Sequence, residues 1–275
     1  MIRTGGGRVV AAMVAACVVG LMSGCALLTP PSHPTPTPKA ETADPVPIAQ
    51  QLPNLLIAGQ TIGTGSLQVI DHEPIPGGVA EHPLTGGVRI VVRQDRGIEV
   101  RIRPDAPAPA SLDGIDLMMT GKRHDGLPEN IQDQNYFALG SDLVTTDADG
   151  ELVLPLMGDL PSFGDPSFLH SIEESPAGDA RVFAAATIAW TLPAAYPGLK
   201  AVDHGVEPYA HGRAIIEDGT LAYYIPNPYD TIYTVTRRFG LTEAQLVWLN
   251  PELLTQSPEP ELTSGIGVNL DPARR

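Results

Sequence analysis

Glycine and proline interrupt this chain too often for long helices or long strands to form in most of it. The 275 residues include 28 Gly and 28 Pro, and from about Leu55 to Ala222 short apolar runs alternate with Gly, Pro and Asp turns. Proline removes a backbone donor and glycine favours turns, so each run extends over only a few residues. The pattern predicts a mostly β middle domain, β-sandwich-like, over residues 55–222, with a barrel as the alternative.

One hairpin is specified in detail within this domain. The run Val88–Val92 is followed across a polar turn by Ile98–Arg103, in which Ile98, Val100 and Ile102 alternate with charged residues. Such alternation gives a strand one apolar and one wet face. Further strands are expected at 115–119, 152–157 and 182–190, and as a pair at 214–216 and 221–224.

The charge balance argues against one class of partner. The chain has 17 Lys and Arg against 32 Asp and Glu, a formal net charge of -15. Binding to nucleic acid depends on neutralising phosphates with a surplus of basic residues. We therefore expect no nucleic-acid partner.

The N-terminus has the pattern of an export signal. Arg3 and Arg8 precede an uncharged run, Val9–Met22, which is too short to span a bilayer comfortably. The small residues Ser23 and Gly24 then precede Cys25, and this arrangement resembles the lipobox of bacterial lipoproteins. The resemblance implies a lipoprotein signal peptide over 1–24, lipid attachment at Cys25, and a location on the extracytoplasmic face of the cell membrane. The alternative is an uncleaved anchor helix.

Cysteine usage excludes thiol chemistry if the signal is cleaved. The sequence has two cysteines, Cys17 and Cys25. The first leaves with the signal peptide and the second becomes a thioether, so neither a disulfide nor a catalytic thiol remains.

Residues 25–54 are expected to form a Pro/Thr-rich linker. Eight prolines between Pro30 and Pro53 alternate with threonines, a composition that favours the polyproline II helix. At ~3.1 Å per residue, about 28 residues would reach ~85 Å. A stalk of this length would hold a folded domain well off the membrane.

The middle domain shows no motif that assigns it a reaction. The sequence has no Gly-x-Ser-x-Gly and no Ser-x-x-Lys, and His204 and His211 lack the spacing of a zinc site. Asp147 and Asp149 precede Gly150 in a pattern typical of a hairpin turn rather than a calcium loop. We expect no catalytic residue, no metal and no cofactor, while a hidden pair of carboxylates remains the enzyme alternative.

The last fifty residues carry the strongest local signals. Ile232, Val235 and Phe239 share one face of a helix that Gly240 ends. Thr242 and Gln245 form a capping box for a second helix, whose buried stripe is Leu246 and Leu249. With a Tyr-led strand before these helices and a closing strand after them, the order is β-α-α-β over residues 223–271.

This segment resembles the LysM family. The shared motifs are Asp230-Thr231-Ile232, Phe239-Gly240, the stretch from Leu246 to Asn250, and Leu262-x-x-Gly265. The resemblance implies a small α+β (βααβ) LysM-like module that binds N-acetylglucosamine-containing glycan between two loops. The implied glycan-binding residues are Asn227, Pro228, Tyr229, Asp230, Thr231 and Ile232 in the first loop, and Asn250, Pro251, Glu252, Leu253 and Leu254 in the second.

Tyr229 departs from the family pattern, which has Gly before Asp-Thr. Its ring could stack on a sugar or block the groove, and the sequence leaves both outcomes open.

The sequence thus predicts an exported, lipid-anchored envelope protein that binds the glycan strands of peptidoglycan non-covalently and is not an enzyme. One alternative is a cell-wall hydrolase with its carboxylates in the middle domain. The other is an envelope scaffold whose C-terminal module no longer binds sugar and whose middle domain contacts an unidentified exported protein.

The lipid anchor is tested by Cys25→Ser. Because serine cannot form the thioether, the variant should accumulate unprocessed and should not incorporate a tagged fatty acid in cells, whereas the wild type should be labelled. Labelling of the variant would contradict attachment at Cys25.

Overall fold

The largest element of the structure is a curled antiparallel sheet. This computed structural model describes residues 46–70, 83–107, 112–128, 136–158, 161–254 and 259–275, so Cys25, the signal peptide and most of the linker lie outside the described residues. Within these ranges, the large sheet consists of β1 Thr61–Val69, β2 Gly86–Val92, β3 Ile98–Pro104, β4 Ile115–Thr120, β5 Tyr136–Ala138, β6 Thr145–Thr146, β7 Leu152–Pro155, β8 Ser171–Pro176, β9 Ala184–Thr187 and β10 Ala189–Trp190.

The strand order in this sheet is β5-β4-β8-β9-β1-β2-β3-β7-β6, with β10 also paired to β1. The predicted hairpin is confirmed as β2 and β3, which pair Ile90 with Val100 and Val88 with Ile102. All four side chains are buried in the core of the sheet. The alternation in the sequence therefore fixed both the hairpin and its buried face.

The β-sandwich prediction is wrong, because the described strands within residues 61–190 form one continuous sheet rather than two sheets packed face to face. The reason lies in β1, which pairs with β2 along one edge and with both β10 and β9 along the other. Its register with β2 shifts between Thr61 and Gly63, as at a β-bulge. At Gly65 an added Cβ would lie 2.7 Å from the Thr187 carbonyl oxygen, so glycine permits the close approach.

The C-terminal region contains a smaller sheet and two helices. In the described residues this sheet has the order β11-β12-β13, with β11 Arg213–Glu217, β12 Thr220–Ile225 and β13 Val268–Asn269. The helices are α2 Ile232–Phe239 and α3 Glu243–Leu249, while α1 Ile48–Gln51 lies at the start of the described chain. Short 3-10 helices span Ser141–Leu143, Pro161–Gly164, Pro166–Phe168, Pro251–Leu254 and Pro272–Arg274.

The prediction of a separate βααβ LysM-like module is also wrong as a fold class. The strand β11 lies before the expected boundary and pairs with β12 along its length, so the sheet has three strands. The closing strand β13 is only two residues long. Ala201 and Ala210 join the same apolar core as Phe239. Because the closing strand is so short, the two helices need further apolar residues to complete their core, and residues before 223 provide them.

The local helix signals are nevertheless confirmed. The Thr242 side chain accepts from the Gln245 amide while the Gln245 side chain accepts from the Thr242 amide, which is the predicted capping box. Gly240 ends α2 in the left-handed conformation, with φ 66°. Leu246 and Leu249 are fully buried. None of the described helices has the length and apolar character needed to cross a membrane.

A buried polar junction joins α3 to the large-sheet region. The Trp248 indole Nε1 donates to Asp165 Oδ2 at 2.7 Å. The Arg275 guanidinium lies over the Trp248 ring at 4.1 Å and donates to the Asp165 backbone carbonyl at 3.0 Å. Because Arg275 and Asp165 are both buried, these contacts fix the smaller sheet and its helices in one position against the 3-10 helix Pro166–Phe168.

One ionisable side chain faces the apolar core of the large sheet. Glu174 pairs with Leu117 on β4 and Ala184 on β9, and its Oε2 accepts from the Leu84 amide at 2.9 Å. Its Oε1 has no hydrogen-bond partner in the described part of the chain. Burial raises the pKa of Glu174 to about 7, although the hydrogen bond from Leu84 acts in the opposite direction.

This buried carboxyl group predicts a specific dependence of stability on pH. The folded state binds the Glu174 proton more tightly than the unfolded chain, whose pKa is 4.5. The contribution of protonated Glu174 to the stability of the fold is therefore fully present below about pH 4.5, and it is lost as the pH rises through about 7. In urea unfolding, the free energy of unfolding of Glu174→Gln should rise by roughly 3 kcal/mol relative to that of the wild type as the pH increases from 4.5 to 8. A difference between the two proteins that stays constant with pH would contradict this account.

Candidate functional site

The Asp230 carboxylate organises the loop between β12 and α2. It accepts hydrogen bonds from the Tyr224 hydroxyl at 2.6 Å and from the amides of Asn227 at 2.7 Å, His211 at 2.9 Å and Gly212 at 3.0 Å. Desolvation opposes ionisation here, but the hydrogen bonds from Tyr224 and the three amides outweigh it and lower the pKa of Asp230. One ionised side chain thus connects two segments of backbone.

Arg238 fixes the segment that precedes β11. Its guanidinium binds both Asp203 carboxylate oxygens at 2.8 Å and donates to the carbonyls of Ala210 and Gly212 at 2.9 Å. The hydrogen bond with Arg238 lowers the pKa of Asp203. Since Arg238 is a buried residue of α2, these contacts hold residues 203–212 against that helix.

Three exposed tyrosines lie on two backbone segments that are hydrogen-bonded to each other. The Tyr209 carbonyl accepts from the Thr231 amide at 3.0 Å and from the Thr234 hydroxyl. Thr231 is two residues from Tyr229 and two from Tyr233. We call Tyr209, Tyr229 and Tyr233 the tyrosine cluster. Their exposed fractions are 61%, 86% and 60%.

Two members of the tyrosine cluster have a backbone conformation that L-residues rarely adopt. The φ angles are 61° at Tyr209 and 74° at Tyr229. The left-handed conformation costs a non-glycine residue about 1 kcal/mol or more, so the surrounding structure must impose it. The glycine that the family pattern has at position 229 would adopt this conformation without strain. Tyr229 therefore bears its ring at a cost in stability.

The first predicted loop is largely accessible. Asn227, Pro228, Tyr229 and Thr231 are exposed, and the Asn227 side-chain amide donates to the His211 carbonyl at 3.3 Å. Thr231 caps α2 by accepting from the Thr234 amide. The remaining two predicted residues have structural positions: Ile232 is buried in the core and Asp230 holds the loop as described above.

The second predicted segment is mostly buried. Asn250 is fully buried, donates to the carbonyls of Leu246 and Asn269, and accepts from the Asn269 amide. Pro251 and Leu254 are buried in a 3-10 helix, and Glu252 and Leu253 are partly buried. The structure thus assigns Asn250 to the connection between α3 and β13. It does not show residues 250–254 joining the tyrosine cluster.

Tyr209 was not among the predicted site residues. It lies outside the segment that carries the family motifs, and its position depends on the Arg238 contact with Asp203, 35 residues away. The signal in the sequence is an aromatic residue after Pro208 in a loop rich in Gly and His, whose composition indicates an exposed turn.

Several acidic residues in and beside the large sheet form ion pairs. Glu151 pairs with Arg89 and Arg103, and Glu173 contacts His124 Nε2 at 2.8 Å. Within the ranges that the structure describes, no three His, Cys, Asp or Glu side chains are grouped as a metal site would require.

No protein family, no curated protein and no solved structure matches this chain. The resemblances to bacterial lipoproteins and to the LysM family therefore stay predictions from sequence.

The organising role of Asp230 can be measured through stability. Asp230→Asn keeps the shape but replaces one accepting oxygen with a donor facing backbone amides, so we expect a loss of about 2 kcal/mol in urea unfolding. Glu261→Gln, at an exposed position, is the control and should change the free energy of unfolding by less than about 0.5 kcal/mol. Equal effects of the two substitutions would show that the Asp230 network does not hold the loop.

Proposed function

We propose that this chain is an exported, lipid-anchored envelope protein that binds the glycan strands of peptidoglycan through the tyrosine cluster. The observation that supports this most is the exposure of Tyr209 and Tyr229 at positive φ. Strained backbone that the fold maintains is concentrated at functional sites, and here the strain presents two aromatic rings to solvent.

The chemistry of the cluster suits a saccharide. Tyrosine combines an apolar ring face with a hydroxyl that donates and accepts hydrogen bonds. The axial C–H groups of a pyranose give it an apolar face, while its hydroxyls and N-acetyl groups need polar partners. Asn227 and His211 are exposed, and each is two residues from a member of the tyrosine cluster. Hydrogen bonds connect their two backbone segments. Their polar side chains offer hydrogen-bond partners for these groups.

Binding at this surface should be weak at each contact. An open site buries little of each sugar, so affinity for the wall depends on repeated contacts along a glycan strand. The acidic chain repels rather than attracts anionic polymers over long distances. Salt should therefore change binding only slightly, because electrostatic capture is not the driving force.

The proposed anchor and linker agree with such a role. A lipid at Cys25 and an extended Pro/Thr linker would allow the folded region to reach glycan at a distance from the membrane. Because no reaction is proposed, the protein would act as a non-covalent connection between the membrane and the wall.

Sedimentation of the full chain with purified, insoluble peptidoglycan tests this proposal. Tyr229→Gly removes the ring and relieves the left-handed strain, so the variant should unfold at the same or a higher temperature and still bind about fivefold more weakly, a change of ~1 kcal/mol. Weaker binding by a variant that is at least as stable as the wild type would show that the substitution removes a contact with glycan and does not unfold the protein.

The control is Tyr136→Ala, at another exposed tyrosine, which lies on β5 of the large sheet with 67% exposure. It should leave sedimentation unchanged. Wild-type protein that folds but does not sediment would favour the scaffold alternative, and tighter binding by Tyr229→Gly would show that the ring obstructs the glycan.

A further inference from the structure

A cavity of about 830 Å³ opens beside the β2–β3 turn of the large sheet. Its apolar lining includes Leu56, Ile98, Leu156 and Phe163, of which Leu56 and Ile98 are buried. Arg93 and Arg96 line it from the turn. The volume lies within the range of about 300–1,000 Å³ that small-molecule sites occupy. The tyrosine cluster is not part of this lining.

Backbone hydrogen bonds hold the walls of the cavity together. The Leu55 amide donates to the Gly164 carbonyl at 2.7 Å, and the Leu156 amide donates to the Ile98 carbonyl at 2.9 Å. At Gly164 an added Cβ would lie 2.6 Å from the Pro53 carbonyl oxygen, so these two segments meet closely. The cavity is therefore formed by fixed backbone and does not require a side chain to move aside.

Arg96 has an unusual position in the turn. Its φ is 67°, in the left-handed region, where Gly or Asn would replace it with less strain. The turn is closed by hydrogen bonds from the Arg93 amide to the Gly97 carbonyl and from the Arg96 amide to the Arg93 carbonyl. The fold thus keeps an arginine at a position that favours a smaller residue.

The charges at the cavity mouth do not cancel. Arg93 is paired with Asp95, whose Oδ1 lies 3.0 Å from Arg93 Nε. Arg96 makes no ion pair in the part of the chain that the structure describes. Within the described residues, the charged side chains of the lining are two arginines and one aspartate, which leaves an excess of one positive charge at the exposed Arg96, in a chain whose net charge is strongly negative. An anion bound there would have a guanidinium partner capable of bidentate contact.

We propose that this cavity binds a small organic anion, with a carboxylate or phosphate group at Arg96 and an apolar or ring-shaped body against Leu156 and Phe163, the partly exposed apolar side chains of the lining. A purely inorganic anion would leave the apolar wall in water, whereas a neutral body would leave the arginine without a partner. The site is independent of glycan binding at the tyrosine cluster, so either can fail without the other.

Calorimetric titration of the full chain with simple probes tests the site. Benzoate combines a ring with a carboxylate, and phenyl phosphate combines a ring with a phosphate. Benzyl alcohol has the ring without the charge, and inorganic phosphate has the charge without the ring. At least one of the two ring acids should bind at least tenfold more tightly than both single-feature probes, and the preferred acid would identify the anionic group. Absence of saturable binding by either ring acid at millimolar concentration would overturn the proposal.

A substitution distinguishes this cavity from other binding positions. Arg96→Gly removes the charge and relieves the positive φ, so the protein should remain folded by circular dichroism while the affinity for the preferred ring acid falls at least tenfold. Arg213→Ala, at an exposed arginine on β11 of the smaller sheet, should leave that affinity unchanged. Unchanged affinity in Arg96→Gly would overturn the proposal.

Discussion

The buried guanidinium of Arg238 is the contact on which the C-terminal surface depends. A buried arginine is tolerated only when its donors are satisfied, and here Asp203 and the carbonyls of Ala210 and Gly212 provide the acceptors. These acceptors all belong to the segment before β11. Satisfying one charge in the last turn of α2 therefore holds that segment against the helix, and the Tyr209 carbonyl contacts the start of the same helix by accepting from the Thr231 amide. The Asp230 carboxylate connects the two segments a second time.

The same use of buried polar groups determines how the two sheets are held together. Trp248, Asp165 and Arg275 form a junction in which each polar atom of the indole and the guanidinium approaches an acceptor from the large-sheet region or from α3. Removing one member would leave buried partners unsatisfied, which is more costly than losing an exposed ion pair. The tyrosine cluster and the cavity beside the β2–β3 turn are thus parts of one compact unit with fixed positions.

Local sequence patterns predicted the elements better than their arrangement. The capping box of Thr242 and Gln245 and the alternation of β3 depend on residues a few positions apart, so the sequence alone identifies them. Whether strands form one sheet or two depends on pairing over long distances, as with β1 and β10, and local patterns contain no information on that. Tyr209 was missed for the same reason, because the contact between Arg238 and Asp203 that positions it spans 35 residues.

We propose that exposed tyrosine rings on a hydrogen-bonded backbone form the glycan-binding surface. The most direct measurement is NMR of the full chain labelled with ¹³C in the rings of its seven tyrosines, titrated with soluble glycan fragments released from peptidoglycan. Saturable shifts should appear at Tyr209, Tyr229 and Tyr233, while the ring signal of Tyr136 on the large sheet stays in place. Shifts at Tyr136 without shifts in the tyrosine cluster, or no saturable shift at any ring, would contradict the account.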